Sequence, residues 1–141
     1  MKTYLLTPEQ ALDNWALLGP KLKESLDHGV NESTLTDYMR KILSYDAQLW
    51  VFTTDEEDIK GVGLTQFLQY ATHKKLHIIA CSGVDWDEWA DQYYIVEEFA
   101  KNNNCKAVEQ WGRKGWSKIL PKVIPGFQVV YHVMRKEIQG D

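Results

Sequence analysis

The sequence predicts an α+β domain, which can equally be described as a three-layer α/β domain, around one mostly antiparallel sheet. Hydrophobic residues switch repeatedly between helical spacing and strand-like alternation along the 141 residues. Three strand-like segments follow one another in the middle of the chain, as in a meander. The longest helical segment then lies between two strand-like segments, which predicts a parallel pair across it.

Length and composition narrow the class of protein. A chain of 141 residues has the usual size of one domain, so we expect a single domain over residues 1–141. The formal charge of -4 argues against binding nucleic acid through a basic surface. No apolar stretch reaches the roughly 20 residues that span a bilayer, and the N-terminus lacks a signal-peptide pattern. We therefore expect a soluble protein inside the cell.

The first third of the chain predicts a strand followed by two helices. Lys2–Leu6 favours a strand, and residues 7–10 form a capping box with proline at the first helical position. Gly19-Pro20 is expected to kink or divide the first helix before it ends near residues 28–29, because proline removes a hydrogen-bond donor. Asn31 or Ser33 is expected to cap the second helix.

The remainder predicts a meander, a crossover helix and three further elements. The meander has strands at residues 48–54, 60–72 and 76–81, with an acidic turn at residues 55–58. A long helix follows from Asp85 to the Asn triplet at residues 102–104. The chain then closes with a strand at residues 107–111, a helix at residues 114–120 that Pro121 breaks, and a final strand at residues 127–134.

Cysteine and histidine spacing predicts free thiols and no metal site. Cys81 and Cys105 are the two cysteines, which fits a reducing compartment. His73, His77 and Cys81 recur every four residues, but four strand residues span about 13 Å, so neighbouring members cannot share one ion. The acidic turn at residues 55–58 lacks the alternating ligands of a calcium loop.

The order of elements resembles that of the GNAT (N-acetyltransferase) superfamily over nearly the whole chain. Residues 107–116 read Ala-Val-Glu-Gln-Trp-Gly-Arg-Lys-Gly-Trp, and Pro125-Gly126-Phe127 follows. These stretches are similar to small GNAT-like proteins of bacteriophages and prophages. The resemblance implies a GNAT fold and, as one possibility, a role as an internal virion or morphogenesis protein.

The resemblance also implies a place for acetyl-CoA. Members that use this cofactor bind its pyrophosphate after the fourth strand, with a loop of the form Arg/Gln-x-x-Gly-x-Gly/Ala and the start of the next helix. The corresponding stretch here is residues 82–91, whose candidate cofactor contacts are Ser82, Gly83 and Val84. It has a single glycine, and it carries four carboxylates that are expected to cap the helix and to repel a phosphate.

The catalytic groups that the resemblance implies are incomplete in this chain. Many members use a tyrosine on the helix after the fifth strand to protonate the departing thiolate. Residues 115–122 contain no tyrosine, and Leu120 or Lys122 takes that position. Asp85 or Glu109 could act as a general base if burial raised its pKa toward neutrality.

Two further groups of residues could form a surface site. The stretch Gly112-Arg113-Lys114-Gly115-Trp116 combines a flexible backbone, two cations and an aromatic ring, which could hold a phosphate or a carboxylate. Its residues Gly112, Arg113 and Trp116 are therefore further candidate cofactor contacts. A packed helix start is the alternative for this stretch. Trp86 and Trp89 could anchor a partner, although core packing is the expectation for both.

Three functions remain open at this point. The first is a GNAT-fold protein without cofactor chemistry that contacts a phage or host protein, in the virion or in the cytoplasm of an infected bacterium. The second is an active N-acetyltransferase that uses acetyl-CoA on a small amine or a protein amino group. The third is an acidic decoy that inhibits a host nuclease, which requires carboxylates clustered on one face.

Overall fold

The computed structural model describes residues 1–27, 33–111, 114–131 and 134–138. Within them the chain forms five strands and six α-helices. In chain order these are β1 (Lys2–Leu6), α1 (Pro8–Asp13), α2 (Trp15–Asp27), α3 (Leu35–Leu43), β2 (Gln48–Thr53), β3 (Ile59–Gln69), β4 (Lys74–Gly83), α4 (Trp86–Trp89), α5 (Tyr93–Asn102), β5 (Cys105–Gln110) and α6 (Lys114–Val123). A short 3₁₀ helix, Ala90–Gln92, links α4 to α5.

The five strands form one mixed sheet in the order β1-β2-β3-β4-β5. All neighbours are antiparallel except β4 and β5, which are parallel across the crossover made by α4 and α5. The predicted first strand, acidic hairpin and parallel pair are therefore confirmed, as is the α+β class. No helix in the described part of the chain is long and apolar enough to cross a membrane.

Helices cover both faces of the sheet, as the alternation of each strand requires. The first face, which carries Leu49, Val62 and Leu64, packs against α1, α2 and α3. The second face, which carries Trp50, Phe52 and Leu76, packs against α4 and α5, with partly buried residues of α6 at its margin. The two faces therefore bury separate core clusters, and the aromatic side chains concentrate on the second.

Capping boxes begin α1 and α3. Thr7 and Gln10 form the predicted box, in which the Gln10 amide donates to the Thr7 hydroxyl at 3.2 Å. The cap of α3 is Thr34, which accepts from the Asp37 amide at 3.1 Å. Ser33 was therefore the wrong choice, because only Thr34 has a reciprocal partner three residues on. Asn31 and the predicted end of the first helix near residues 28–29 lie outside the described residues.

Neither internal proline ends its helix, so a division of the helix at Pro20 and a break at Pro121 are both wrong. The break falls at Asn14, whose side-chain amide donates to the Gln10 carbonyl at 2.8 Å and competes with the backbone. Pro20 lies inside α2 and is exposed, so water can satisfy the carbonyl that it leaves unpaired. Pro121 lies inside α6, where the Ile124 amide resumes hydrogen bonding to the Leu120 carbonyl at 2.8 Å.

The predicted long helix from Asp85 is divided into α4, the 3₁₀ helix and α5. Trp89, Tyr93 and Val96 are buried against the second face of the sheet. The 3₁₀ turn is tighter than an α-helical turn, so it changes which side chains point at the sheet. Trp86, one turn before it, is only partly buried.

The predicted final strand is not formed at the described positions of residues 127–134. Gly126 has a φ of 104° and turns the chain. Phe127 then packs edge-on against Tyr93 at 5.4 Å between ring centroids. The start of this segment is therefore fixed by a side-chain contact on the second face. Residues 127–131 form no β-ladder, although apolar and polar residues alternate in their sequence.

Replacing Thr34 by Ala should lower the free energy of unfolding by about 1 kcal/mol, because the Asp37 amide loses the hydroxyl that accepts its hydrogen bond. The bond from the backbone N–H of residue 34 to the Asp37 carboxylate does not need the threonine side chain. Ser33→Ala is the matched control and should change it by less than about 0.5 kcal/mol. Urea denaturation of the three proteins measures both values. A larger loss for the Ser33 variant would contradict the assignment of the cap.

Candidate functional site

The parallel strands β4 and β5 separate beyond the middle of β4. Their pairing ends at Ile78 and Gln110, whereas β4 continues to Gly83. A bulge at Ile79 shifts the pairing of β4 with β3 at the same level. The side of β4 that faced β5 therefore has no strand partner over residues 79–83, and an opening forms between the two strands.

Behind this opening, on the second face, lies an apolar cavity of about 60 Å³. The sheet forms its floor, and α4, α5 and α6 form its walls. The residues nearest the opening are aromatic or apolar side chains together with one amide, namely Ile78, Cys81, Trp86, Trp89, Gln110 and Trp116. A cavity with such walls excludes charged groups, because burying an unpaired charge is costly.

Trp89 fills the space above the ends of β3 and β4. Its side chain is 3% exposed, and it stacks on Phe52 with 4.8 Å between ring centroids. A Cβ atom at Gly61 would lie 2.5 Å from the Trp89 ring, and one at Gly83 would lie 2.7 Å from it. The indole therefore lies directly on the backbone of two strands, which only glycine permits at these positions.

The Trp89 side chain also holds the loop after β4. Its indole N–H donates to the Val84 carbonyl at 2.6 Å. The Val84 amide donates to the Lys60 carbonyl at 3.0 Å. Both backbone groups of Val84 are thus used within the protein, and Val84 offers no free donor to a phosphate in this loop.

Two more tryptophans close the mouth of the opening. Trp86 stacks on Trp89 with 4.5 Å between ring centroids. Trp116 of α6 meets Trp86 edge-on at 4.7 Å. This contact joins the element that follows β4 to the element that follows β5, so the three rings bridge the gap between the separated strands.

The acidic helix start does not cap the helix as predicted. Asp85 has a left-handed backbone conformation with a φ of 54°, and its side chain makes no cap hydrogen bond. It accepts instead from the Lys60 ammonium at 2.9 Å, and Glu88 lies 3.7 Å from the same group. The hydrogen bond that Lys60 donates to Asp85 raises the pKa of Lys60. The cation nearest this loop is therefore already paired with two carboxylates.

Two predicted site residues lie on the opposite side of the sheet from the cavity. The Ser82 hydroxyl points to the first face and donates to Glu24 at 3.2 Å. Glu109 also faces the first face, where one carboxylate oxygen accepts from Lys75 at 3.0 Å. Asp85 is paired with Lys60 in the loop after β4, whereas Glu109 is paired with Lys75 beside β5, so the two candidate bases have no partner in common.

Glu109 nevertheless belongs to a second polar cluster. Its other carboxylate oxygen is buried without a hydrogen-bond partner. His77 is its register partner on β4 and packs under Trp111, with 4.3 Å between ring centroids. Burial lowers the pKa of His77 despite the opposing effect of Glu109. The imidazole is therefore neutral near pH 7.

The titratable groups that line the cavity keep their protons. Burial raises the pKa of the Cys81 thiol to about 12, although part of the residue's surface remains exposed. Burial also raises the pKa of Tyr93, and the neighbouring Glu97 adds to this effect. Neither side chain is a nucleophile or a base at neutral pH.

These residues do not fit acetyl-CoA in the manner that the resemblance implies. The loop at Gly83 and Val84 presents a tryptophan and carboxylates where a pyrophosphate would need free amides and positive charge. Trp116, a candidate cofactor contact, packs on Trp86. Gly112 and Arg113, the remaining candidates, lie outside the described residues.

Sequence reasoning missed the close approach of Trp89 to Gly61 and the pairing of Lys60. A signal was present, because glycine inside a strand marks a close approach of another group. The packing of His77 against Trp111 had no comparable signal in the sequence, since it depends on the register of β4 and β5.

Among the described residues, no group of three or more His, Cys, Asp or Glu side chains could hold a metal ion.

Comparison with solved structures identifies the fold. A probable acetyltransferase superimposes with a TM-score of 0.75 and 15% identity over 100% of both chains. A GNAT family acetyltransferase of Staphylococcus aureus gives a TM-score of 0.69 and 19% identity, over 97% of this chain and 98% of that one. A predicted acetyltransferase of Clostridium acetobutylicum, solved with acetyl-CoA, gives 0.67 and 17%, over 96% and 95%.

No protein-family model and no curated protein sequence matches the chain. The structural likeness therefore shows the fold, and the chain is a GNAT-fold protein. The more specific similarity to phage proteins is not shown by these comparisons.

Gly61→Ala should destabilise the protein by about 1–3 kcal/mol, because the new methyl group would collide with the Trp89 ring. Gly63→Ala is the matched control on the same face of β3, where the nearest atom would lie 3.7 Å away. We expect Gly63→Ala to leave the stability of the fold unchanged or slightly raised, because an alanine has less conformational entropy to lose on folding than a glycine. Thermal unfolding of both variants tests this, and equal effects would contradict the packing.

The two thiols should differ in reactivity. At pH 8 a thiol with a pKa of about 12 is ionised to about one part in 10⁴, so Cys81 should not react with Ellman's reagent in the folded protein. Cys105 is less buried and should react first. The absorbance at 412 nm of the released thiolate counts the thiols that react in the folded protein and, with urea added, in the unfolded protein. Loss of the fast phase in Cys105→Ser confirms the assignment, and two equally fast thiols would contradict it.

Proposed function

We propose that this protein uses the GNAT fold without binding acetyl-CoA between β4 and β5, and that it acts through contacts with another protein. The observation that carries the proposal is the position of Trp89, whose ring lies on Gly61 and whose N–H bonds the loop after β4. Removing the ring would expose an apolar surface of about 150–250 Å². The arrangement in which the Trp89 ring covers Gly61 is therefore strongly favoured over one in which the ring is displaced and the cleft between β4 and β5 is open.

The charges around the loop support the same proposal. Asp87 and Asp91 are exposed in the helical segment that follows the loop, and Lys60 is held by Asp85 and Glu88. A diphosphate approaching this segment would meet negative potential instead of free donors. Leu120, one of the two residues at the position of the expected tyrosine, lines the cavity and offers no proton.

The setting of the contacts follows from the resemblance to phage proteins. Residues 107–116 support a role in virion assembly or in changing a host function. The corresponding location is the virion or the cytoplasm of an infected bacterium, and the partner is a phage or host protein. The decoy hypothesis has less support, because Asp55 and Glu57 of the hairpin tip are paired with the N-terminal amine and Lys2.

The second candidate is an N-acetyltransferase that acts on a small amine or a protein amino group. The separation of β4 from β5 at Ile78 and Gln110 favours it, as does the neighbour solved with acetyl-CoA. It would require Trp86 and Trp116 to part so that the cofactor could enter. The two candidates therefore differ in one measurable quantity, the affinity for acetyl-CoA.

Titration calorimetry with acetyl-CoA tests the proposal. We expect no binding heat up to millimolar cofactor for the wild type. The variant Asp85→Asn/Asp87→Asn removes two carboxylates from the loop, and Glu97→Gln/Glu98→Gln removes two from α5 as a matched control. Both should also fail to bind, because the ring of Trp89 remains in place.

Micromolar binding by the wild type would overturn the proposal, and thiol release with an amine panel would establish the acetyltransferase. Binding by the Asp85/Asp87 variant alone would overturn the argument from Trp89 and show that the negative charge of the loop is the barrier to acetyl-CoA.

Cross-linking tests the contact with a protein partner. A photo-crosslinking residue at exposed Trp111 should give a discrete adduct in infected cells. An adduct that equally appears with unrelated lysate would contradict a specific partner.

A further inference from the structure

A chain of polar contacts crosses the first face of the sheet beside β4. The Lys41 ammonium of α3 donates to Oε1 of Gln66 at 3.0 Å. The other end of that amide, Nε2, lies 3.5 Å from Nδ1 of His77, which is the register partner of Gln66 on β4. Glu109 is the register partner of His77 on β5. His77 therefore lies between an amide on one neighbouring strand and a carboxylate on the other.

Lys41 fixes the direction of this chain of contacts. An ammonium only donates hydrogen bonds, so the Gln66 atom that faces Lys41 is the oxygen, and the atom that faces His77 is the nitrogen. The amide nitrogen also only donates, so Nδ1 of His77 accepts and carries no proton. In the neutral imidazole the proton is therefore on Nε2.

A second proton, on Nδ1, is incompatible with this arrangement. Two N–H donors would then face each other across the 3.5 Å that separates Gln66 from His77. Gln66 cannot turn its amide to relieve the conflict, because its nitrogen would then face the Lys41 ammonium. An imidazolium at this position therefore needs a different acceptor.

Glu109 offers such an acceptor. Its Oε2 accepts from Lys75 at 3.0 Å, whereas its Oε1 is buried and has no hydrogen-bond partner. A buried carboxylate oxygen without a donor is costly, so an arrangement that brings a donor to it gains free energy. The negative charge also favours an imidazolium over a neutral donor.

The ring of Trp111 depends on the position of His77. The two rings pack together with 4.3 Å between their centroids, and the Trp111 side chain is 53% exposed on its outer side. An imidazole that turns toward Glu109 leaves this contact. Movement of one buried side chain would therefore change the surface at the end of β5.

The charged groups around His77 set the pH range of such a movement. Burial has the largest effect and lowers the pKa of His77, Glu109 raises it, and Lys41 lowers it. Lys75 is held by Glu109, and the nearby Tyr131 keeps its proton because burial raises its pKa. Among the described residues, His77 is therefore the member of this cluster that gains a proton as the pH falls below neutrality.

We propose that His77, Glu109 and Trp111 form an acid-sensitive switch, in which protonation turns the imidazole from Gln66 to Oε1 of Glu109 and releases the Trp111 ring from β4. The neutral state is held by the contact with Gln66 and by ring packing. The acidic state is held by an ion pair that satisfies the buried oxygen. A partner that contacts Trp111 would bind differently to the two states. The switch does not depend on whether acetyl-CoA binds.

Two NMR signals follow the two parts of the switch as the pH is lowered from about 8 to about 4. The ring Hε1 proton of His77 reports its protonation, and ¹⁹F spectra of protein labelled with 5-fluorotryptophan report the 6 indoles separately. The variants His77→Gln and Trp111→Phe identify the two signals. We expect the Trp111 signal to move with the same midpoint as the His77 signal, while the other indole signals stay in place.

Two substitutions beside His77 should change this behaviour in opposite directions. Glu109→Gln removes the charge that receives the imidazolium, so the His77 midpoint should fall by about one pH unit and the Trp111 signal should stay in place. Gln66→Glu supplies a carboxylate that accepts from protonated Nδ1, so the midpoint should rise by about one pH unit while Trp111 stays packed. Glu98→Gln, on α5, is the matched control and should behave as the wild type.

Lys41→Met tests the direction of the chain of contacts. Without the ammonium, Gln66 can turn its oxygen to protonated Nδ1, so Trp111 should stay packed after His77 has gained its proton. Arg40→Met removes the neighbouring cation of α3, which pairs with Asp37. This matched control should leave both signals as in the wild type.

A Trp111 signal that stays fixed while His77 titrates in the wild type would overturn the switch. So would a movement of Trp111 that survives in Glu109→Gln or in Lys41→Met, since the acceptor or the direction of the chain would then be irrelevant. Movement of all indole signals together would also overturn it, because acid would then be unfolding the protein. Calorimetry with acetyl-CoA is unaffected by these results, so the switch and the proposed function can fail separately.

Discussion

The packing of Trp89 on the glycines of β3 and β4 is the contact on which the second face depends. The indole takes the space that side chains at Gly61 and Gly83 would need, and its N–H fixes the Val84 carbonyl. Trp86 and, through it, Trp116 then stack outward from this ring. One buried aromatic side chain therefore sets the path of the loop after β4, the start of the crossover and the position of α6.

This constraint shapes the region where β4 and β5 separate. The strands β4 and β5 separate after Ile78 and Gln110, but aromatic rings occupy the region beside the opening. Burial keeps Cys81 and Tyr93 protonated there. Ser82 and Glu109, by contrast, lie on the first face. Packing of aromatic side chains therefore stabilises the region beside the opening.

The polar cluster on the first face shows the same separation. Glu109 and His77 are neighbours across β4 and β5, and Trp111 covers the imidazole. The next residue along each strand, Ile78 after His77 and Gln110 after Glu109, faces the cavity. The register of β4 and β5 therefore places polar side chains on one side of this strand pair and the apolar cavity on the other. A shift of one residue would bring Glu109 into the apolar cavity, where an unpaired carboxylate would be costly.

Local sequence determined the strands β1 to β4, the capping box at Thr7, the hairpin and the parallel crossover, because each depends on periodicity or on neighbours within a few residues. Tertiary structure decided the rest. Both prolines stay inside helices, and Phe127 is held by Tyr93, because packing outweighs local preference. The single glycine and the four carboxylates of residues 82–91 are plain from the sequence. The sequence could not show that Trp89 fills the space beside Gly61 and Gly83, since that contact joins residues brought together only by the register of three strands.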